Sequence, residues 1–260
     1  MRATEFTSFR SSLGVRSEHG FSLVELAVAI FVIALLVGSI LVPLTMQVEQ
    51  RQISETQKMI EDIKEALLGF AVANGRLPCP DKTSGSVSGA NNSPNDGVED
   101  YDSTNCIVYL SGGTVSVGNV PWVTLGIGSV DVWGNRFHYF VSPEFARRPP
   151  NTFNLSSVAT ARVCPNAACA IPLTLTNPNG AVAVILSYGK NGRGAINTIT
   201  GTANPAPTST DELEHTDSGV NYVSRAMTPV GSAAGEFDDI VTWLGKYTLF
   251  NRMISAGKLP

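Results

Sequence analysis

The chain has 260 residues, a length that fits one medium domain or two small ones. Charged residues make up only 15 % of it, and its 24 Gly and 15 Pro indicate a globular chain with many loops, which excludes a disordered protein. The formal net charge of −4, without a long basic block, makes nucleic acid an unfavourable partner.

Residues 26–46 form an uncharged and almost wholly apolar run. As a helix this run would be about 31 Å long, enough to cross the hydrocarbon core of a membrane. A buried core helix is rarely apolar on every side over such a length. A cleaved secretory signal usually has a shorter apolar region that ends at a small-residue site, and no such site precedes Gln47. The run therefore predicts a single membrane-spanning helix.

The basic residues around the run predict its orientation. Arg2, Arg10 and Arg16 precede it, whereas only Arg51 follows closely. Lys and Arg near a span stay on the cytoplasmic side. We therefore expect a cytoplasmic amino terminus and the remainder of the chain outside the cytoplasm.

Four cysteines fit an exported domain: Cys79, Cys106, Cys164 and Cys169. An even number in such a domain indicates two disulfides, and four cysteines allow three pairings. Proximity in sequence favours Cys79–Cys106 and Cys164–Cys169. A zinc site is disfavoured, because there is no C-x₂-C pair and no nearby histidine.

An acid, Glu25, stands near the start of the apolar run, where a carboxylate is costly unless it has a partner. The stretch G-FSLVE at residues 20–25, followed by the long apolar run, resembles the signature of prepilins. Prepilins comprise the type IV pilins and the pseudopilins of type II secretion. A cut after Gly20 would free the amine of Phe21, four residues before Glu25.

The resemblance implies how the chain is processed and assembled. Prepilin peptidase would cleave between Gly20 and Phe21, and Phe21 would be N-methylated. Glu25 would neutralise the amine of a neighbouring subunit inside the core of a fibre. The implied partners are the peptidase, other pilin or pseudopilin subunits and an inner-membrane assembly platform.

The resemblance also divides the chain into three parts. Residues 1–20 are a leader peptide, residues 21–46 a transmembrane and fibre-core helix, and residues 47–260 a periplasmic globular domain. Pro43 matches a proline that the family often has, where the helix melts locally during assembly. An ordinary kink in a transmembrane helix explains this proline equally well.

After the apolar run, the helix is predicted to continue as an amphipathic helix. Apolar residues recur at helical spacing along one face: Ile53, Ile60, Ile63, Leu67 and Phe70. Asn74-Gly75, with Pro78 soon after, predicts the end of the helix.

Residues 81–105 have almost no apolar content, which predicts a long solvated loop. The loop carries four acids: Asp96, Glu99, Asp100 and Asp102. They do not fit a calcium-binding EF-hand, because Pro94 would stand at a ligand position.

Four apolar segments predict strands, at residues 107–110, 136–142, 171–177 and 181–189. Antiparallel strands laid on one long helix define an α+β fold of the pilin type. The three tryptophans are expected to pack against that helix rather than to form an aromatic ligand site: Trp122, Trp133 and Trp243.

Three segments in the second half resemble the major pseudopilins of type II secretion, at residues 130–141, 185–195 and 237–244. An acid-Trp-Gly turn precedes a strand in the first of them. Two regions are longer than in a compact major pseudopilin: residues 81–130, which precede the first segment, and residues 196–236, which lie between the second and the third. This length indicates insertions specific to this subunit.

In the major pseudopilins a Ser-x-Gly loop and a following acidic pair bind calcium, which here implies a site with Ser187, Asp238 and Asp239. Adjacent strand residues point to opposite faces, so only one aspartate aims directly at the site, and we favour Asp239. Lys190 and Arg193 stand in the loop where an acid would suit a cation better. A solvated acidic pair is the alternative interpretation.

Catalytic motifs are missing from the sequence: there is no G-x-S-x-G, no H-E-x-x-H and no dinucleotide-binding fingerprint. The spacing of His19, His138 and His215 favours no catalytic set. We therefore expect a structural subunit of a type II secretion pseudopilus or a type IV pilus-like fibre, not an enzyme. The alternatives are a minor or tip pilin that binds a surface, DNA or a secreted protein, and a membrane-tethered periplasmic enzyme.

Overall fold

The computed structural model of the protein describes residues 20, 22–83, 93–101, 106, 116–150, 152–217 and 219–259. Three predictions lie outside these residues: most of the leader, the new amino terminus at Phe21 and the strand at 107–110. The side chains of residues 38–44, including Pro43, are also outside the description. The chain divides into two units between Glu49 and Gln50.

The described elements form an α+β fold, as the sequence predicts. The helices are α1 (Leu23–Asn74), α2 (Trp122–Leu125), α3 (Pro143–Ala146), α4 (Thr210–Leu213) and α5 (Lys246–Ser255). The strands are β1 (Ser116–Asn119), β2 (His138–Val141), β3 (Arg162–Cys164), β4 (Ala181–Ser187), β5 (Asn221–Val223) and β6 (Ile240–Gly245). An antiparallel sheet has the order β1-β2-β4-β6, and β3 pairs with β5 in parallel.

The first unit holds the amino-terminal part of α1, whose large apolar side chains are exposed; Leu23, Phe31 and Ile33 are examples. Among the described residues, none of the helices combines the length and the apolar character that crossing a membrane requires. The membrane-spanning helix at residues 21–46 therefore stays a prediction.

The second unit begins with the amphipathic part of α1, which the apolar spacing predicts correctly. Ile60, Ile63 and Leu67 are buried in the largest core cluster. The helix ends at Asn74, and Gly75 follows with φ +71°, the left-handed conformation typical of a residue just beyond a helix. The predicted stop is confirmed.

The four-stranded sheet is covered on both faces. Tyr139 of β2 and Ile185 of β4 share a cluster with the buried residues of α1. The opposite face, which includes Phe140 and Val184, packs against Tyr222 of β5 and its neighbours. This second layer explains why all seven residues of β4 are buried and why the six before Ser187 form a continuous apolar run.

The predicted strand at 171–177 is wrong. This segment lies outside every strand, and Ile171, Leu173 and Leu175 are exposed. The alternation exists, but Thr174 faces the protein, where its hydroxyl accepts a hydrogen bond from the Val163 amide at 3.1 Å. Pro172 has no N–H to donate to a ladder, which favours an irregular segment.

The tryptophan prediction is only partly correct. Trp133 packs against the core cluster that contains α1, but Trp243 packs against the cluster on the opposite face of the sheet. Trp122 lies under the Arg136 guanidinium, 3.9 Å from its ring centre. Side-chain alternation along β6 decides the place of Trp243, because Trp243 lies opposite Val184 rather than Ile185.

The segment of residues 93–101 is only in part the solvated loop that its composition predicts, because Asp96 is exposed whereas two other acids are buried. Glu99 is buried and forms a two-pronged ion pair with Arg76, with distances of 2.6 and 2.7 Å. Asp100 is buried and accepts a hydrogen bond from the Lys82 amide. These partners replace the water that an acidic loop would otherwise need.

Both cysteine pairings favoured by sequence proximity are present. Cys79 joins Cys106 and Cys164 joins Cys169, with Cα–Cα distances of 5.2 and 5.1 Å. Cys79 and Cys106 lie within the core cluster that contains α1. The first disulfide therefore ties the segment after α1 directly to the core.

Candidate functional site

The amino-terminal candidate site lies at the first turn of α1. The carboxylate of Glu25 accepts a hydrogen bond from the Ser22 amide at 3.3 Å, and the Ser22 hydroxyl accepts one from the Val24 amide at 3.3 Å. The first amides of a helix have no partner within the helix and favour a negative charge. Glu25 thus turns its charge towards the start of α1, the side on which Phe21 lies in the sequence.

Within the part of the chain that the structure describes, no close contact and no positive φ requires glycine at position 20. A Cβ atom added there would meet nothing within 4 Å. Only a close approach or a positive φ angle makes a glycine structurally necessary. The role of Gly20 in processing by the peptidase stays a prediction.

The second candidate site is an acidic cluster in the second unit, formed by Glu212 of α4 and the pair Asp238 and Asp239 just before β6. One carboxylate oxygen from each of the three lies within 4.8 Å of the others. Glu212 is 1 % exposed and Asp239 is 4 % exposed. Three carboxylates at this distance repel each other unless protons or a cation intervene.

Two oxygens of the cluster are left over after the hydrogen bonds are assigned. Asp238 Oδ2 accepts from the Asn191 amide at 2.8 Å, and Glu212 Oε1 accepts from the Asp238 amide at 3.1 Å. Glu212 Oε2 and Asp238 Oδ1 accept no hydrogen bond of good geometry from the described residues. Buried oxygens without a partner are costly, and a bound cation would satisfy both.

The pKa values of the acidic cluster are consistent with a bound cation. Burial, followed by the charge of Asp239, raises the pKa of Glu212 to about 7. Burial also raises the pKa of Asp238 to about 6, against the lowering effect of the Asn191 amide. Protons and a cation therefore compete for the same oxygens close to neutral pH.

Two of the three residues that the resemblance implies have other partners. Asp239 Oδ2 lies 2.5 Å from His215 Nδ1, and the Ser187 hydroxyl donates to Asp131 at 2.5 Å. Asp238, not Asp239, keeps the free oxygen. Metal binding by this set stays a prediction, and the geometry shifts its centre towards Asp238.

Sequence reasoning missed Glu212, which lies 26 residues before Asp238. No spacing rule links the two, and the acidic segment around Glu212 looks like a solvated loop. The loop after β4 also lies against the cluster, and its glycines in the sequence indicate such a close approach. Gly189 has φ +57°, and a Cβ there would overlap the backbone of Asp238, so only glycine lets the loop approach.

The chemistry of the donor set fits a hard cation. Calcium takes six to eight oxygens from carboxylates, backbone carbonyls and water, in flexible geometry. Glu212, Asp238 and the neighbouring glycine-rich backbone offer such oxygens. Cys and His side chains, which zinc prefers, do not supply the free ligand atoms here.

Comparison with known proteins supports the amino-terminal site. Residues 15–41 match the prokaryotic N-terminal methylation motif, the signature of type IV pilins and pseudopilins. The chain therefore carries the signature of a pilin-like protein that prepilin peptidase processes, and this motif indicates membrane anchoring. No curated protein and no solved structure matches the chain significantly. The likeness of the second half to major pseudopilins stays a prediction.

Proposed function

We propose that the protein is a structural pilin-like subunit that assembles through α1 into a type II secretion pseudopilus or a type IV pilus-like fibre. The observation that carries the proposal is the methylation motif at residues 15–41. Glu25 at the start of α1 supports it, because its carboxylate is available to a cationic amine at the end of the helix.

Maturation would follow from the motif. Prepilin peptidase cleaves after Gly20, and the new amine at Phe21 is methylated. The exposed apolar side chains of residues 23–37 need a cover, which lipid supplies before assembly and neighbouring helices supply in the fibre. In this proposal residues 21–46 span the inner membrane once and the second unit lies in the periplasm, where an assembly platform and other subunits meet it.

We also propose that the second unit binds calcium through Glu212 and Asp238, with Asp239 held nearby by His215. The support is the pair of buried oxygens without a partner. A structural cation would fix α4 against the loop after β4 and the start of β6. Such a site stabilises the subunit rather than catalysing a reaction.

Amino-terminal processing of the full chain in a bacterium with a prepilin peptidase tests the main proposal. We expect the mature chain to begin with N-methylated Phe21, as read by mass spectrometry of the amino-terminal peptide. Gly20→Val should keep the leader and stay out of fibres. Gly69→Val is the matched control, because Gly69 is exposed in α1 and a Cβ there meets nothing within 4 Å.

The Gly69 variant should be processed like the wild type. A wild-type mature chain that still begins with Met1, or a Gly20→Val chain that is cut normally, would refute the proposal.

A further inference from the structure

A cavity of about 380 Å³ lies beside the β1 edge of the sheet in the second unit. Its walls come from β1, from the loop of residues 194–206, and from His215 and Thr216. Its floor is formed by His138 of β2 and by Tyr188. The volume lies within the range of about 300–1,000 Å³ that small-ligand sites occupy.

The described lining of this cavity carries no Asp, Glu, Lys or Arg. His138 is buried, and burial lowers its pKa to about 3, so its ring is neutral at physiological pH. A phosphate, a carboxylate or an ammonium group would therefore lose its hydration without gaining a partner of opposite charge. The ligand that fits this lining is uncharged.

The floor is a fixed network of hydrogen bonds. Tyr188 Oη lies 3.0 Å from His138 Nδ1 and 3.3 Å from the His215 carbonyl oxygen, and Tyr222 Oη lies 3.3 Å from His138 Nε2. One assignment satisfies all three contacts. His138 Nδ1–H donates to Tyr188, Tyr188 donates to the carbonyl, and Tyr222 donates to Nε2. The Tyr188 oxygen then keeps one lone pair as an acceptor.

Two wall residues repeat this pattern, with their donors bonded inside the protein and acceptor capacity left over, whereas the Thr83 hydroxyl in the same wall can still donate. Asn119 Nδ2 donates to Asn95 at 2.8 Å, and the Thr216 hydroxyl donates to the Leu213 carbonyl at 3.0 Å. The Asn119 Oδ1 atom and the Thr216 oxygen keep acceptor capacity. A ligand with hydroxyl groups fits this cavity, because such groups donate to these acceptors and accept from Thr83.

Apolar groups stand between the acceptors, including Val117, Ile196 and Ala203. A sugar ring combines hydroxyl donors with apolar C–H surfaces and carries no charge. We propose that this cavity binds a neutral saccharide of one or two sugar units. This inference goes beyond the proposed structural function and does not depend on it.

A peptide strand is a less suitable ligand. The outer edge of β1 is already occupied at Asn119, whose backbone exchanges two hydrogen bonds with Asp81, of 2.7 and 3.0 Å. Asp81 therefore blocks the addition of a peptide strand at the Asn119 end of β1. The volume of about 380 Å³ suits a compact ring better than an extended chain.

Calorimetric titration of the full chain, in a zwitterionic detergent without sugar groups, tests the proposal. The probes are glucose, galactose, N-acetylglucosamine and their neutral disaccharides, each beside a phosphorylated or acidic counterpart. We expect saturable binding of at least one neutral sugar and at least tenfold weaker binding of its charged counterpart. Thr216→Val should weaken binding roughly fivefold, through the loss of one hydrogen bond.

A blocking variant locates the site. Ala203 is exposed at the mouth, so Ala203→Trp should fill the cavity without disturbing the core and abolish binding. Ala233→Trp is the matched control, because Ala233 is exposed and does not line the cavity, and it should bind as the wild type does.

Cosedimentation with purified peptidoglycan and with a neutral polysaccharide distinguishes the source of the sugar. Binding of free sugars alone assigns a soluble saccharide, and retention on a polymer that Ala203→Trp loses assigns a surface glycan. Absence of binding to every sugar and polymer would overturn the proposal. So would sugar binding that survives in Ala203→Trp, or equal binding of a neutral sugar and its charged counterpart.

Discussion

Glu25 is the residue on which assembly depends in our proposal. Its carboxylate lies at the first turn of α1, where it already accepts the Ser22 amide. We expect Glu25→Ala to insert into the membrane, since removal of an acid makes the span more apolar. It should assemble poorly, because the amine of a neighbouring Phe21 would lie unpaired in an apolar fibre core.

The measurement for Glu25 is the fraction of subunit recovered in sheared fibres. Glu55→Ala is the control, since Glu55 is an exposed acid further along α1. Equal incorporation of the Glu25 and Glu55 variants would show that Glu25 merely faces lipid headgroups.

The second prediction at the residue scale concerns the stabilisation of the acidic cluster by calcium. Calcium at a hundredfold excess over its Kd would add about 2.7 kcal/mol to the free energy of unfolding. For a unit of this size the melting temperature should then rise by about 5–10 °C. Glu212→Gln and Asp238→Asn should each lose this rise, because each removes a charged oxygen ligand.

Glu214→Gln is the control for the calcium experiment, because Glu214 lies two residues beyond Glu212 and outside the cluster. Melting temperatures of the full chain are compared in calcium and in chelator. Identical values for the wild type would reject the site. If only Asp239→Ala abolished the calcium-dependent rise in melting temperature, the site would be centred on Asp239.

At the scale of elements, α1 and the segment at 171–177 allow a direct comparison. Leu67 on α1 is 0 % exposed, whereas Leu175 is 58 % exposed. Leu67→Ala should lower the free energy of unfolding by about 2–5 kcal/mol, through lost burial and the cavity left behind. Leu175→Ala removes the same atoms and should change it by less than about 0.5 kcal/mol.

Denaturant titration of the two variants measures both values. The same chemical change at both positions isolates burial as the cause of any difference. A large effect of Leu175→Ala would mean that residues 171–177 form the half-buried strand that their alternation predicts.

At the scale of the whole molecule, buried acids couple stability to pH. Burial raises the pKa of Asp81 to about 7 and of Asp100 to about 6, alongside the similar shifts of Glu212 and Asp238. The folded state therefore holds protons more firmly than the unfolded state. The contribution of these four acids to the free energy of unfolding should be greatest near pH 4 and should fall as the pH rises to about 7.

Calcium should reduce this loss of stability at higher pH, because it takes the place of the protons that leave Glu212 and Asp238. It should not affect the contributions of the other two acids. The rise in melting temperature with calcium should be small at pH 5 and large at pH 8. Thermal unfolding at both pH values, with calcium and with chelator, measures it. A calcium effect that is equal at the two pH values would contradict competition between protons and the cation at these carboxylates.

The sequence by itself determines features whose signal is local. The methylation motif is read from adjacent residues, and the end of α1 from Asn74-Gly75. β4 is evident from an unbroken apolar run. In each case neighbouring residues alone carry the signal, so the feature can be predicted before its distant contacts are known.

Tertiary structure decides which segments meet. It brings Glu212 to Asp238, gives His215 the carboxylate of Asp239, and closes the cavity above His138. It also turns Thr174 inward where the alternation predicts a strand. Periodicity determines the face of an element on which a side chain lies, but not which other element covers that face. The entropy cost of closing a loop depends only weakly on loop length, so loop length excludes few pairings of elements. Close packing of the whole core selects among them.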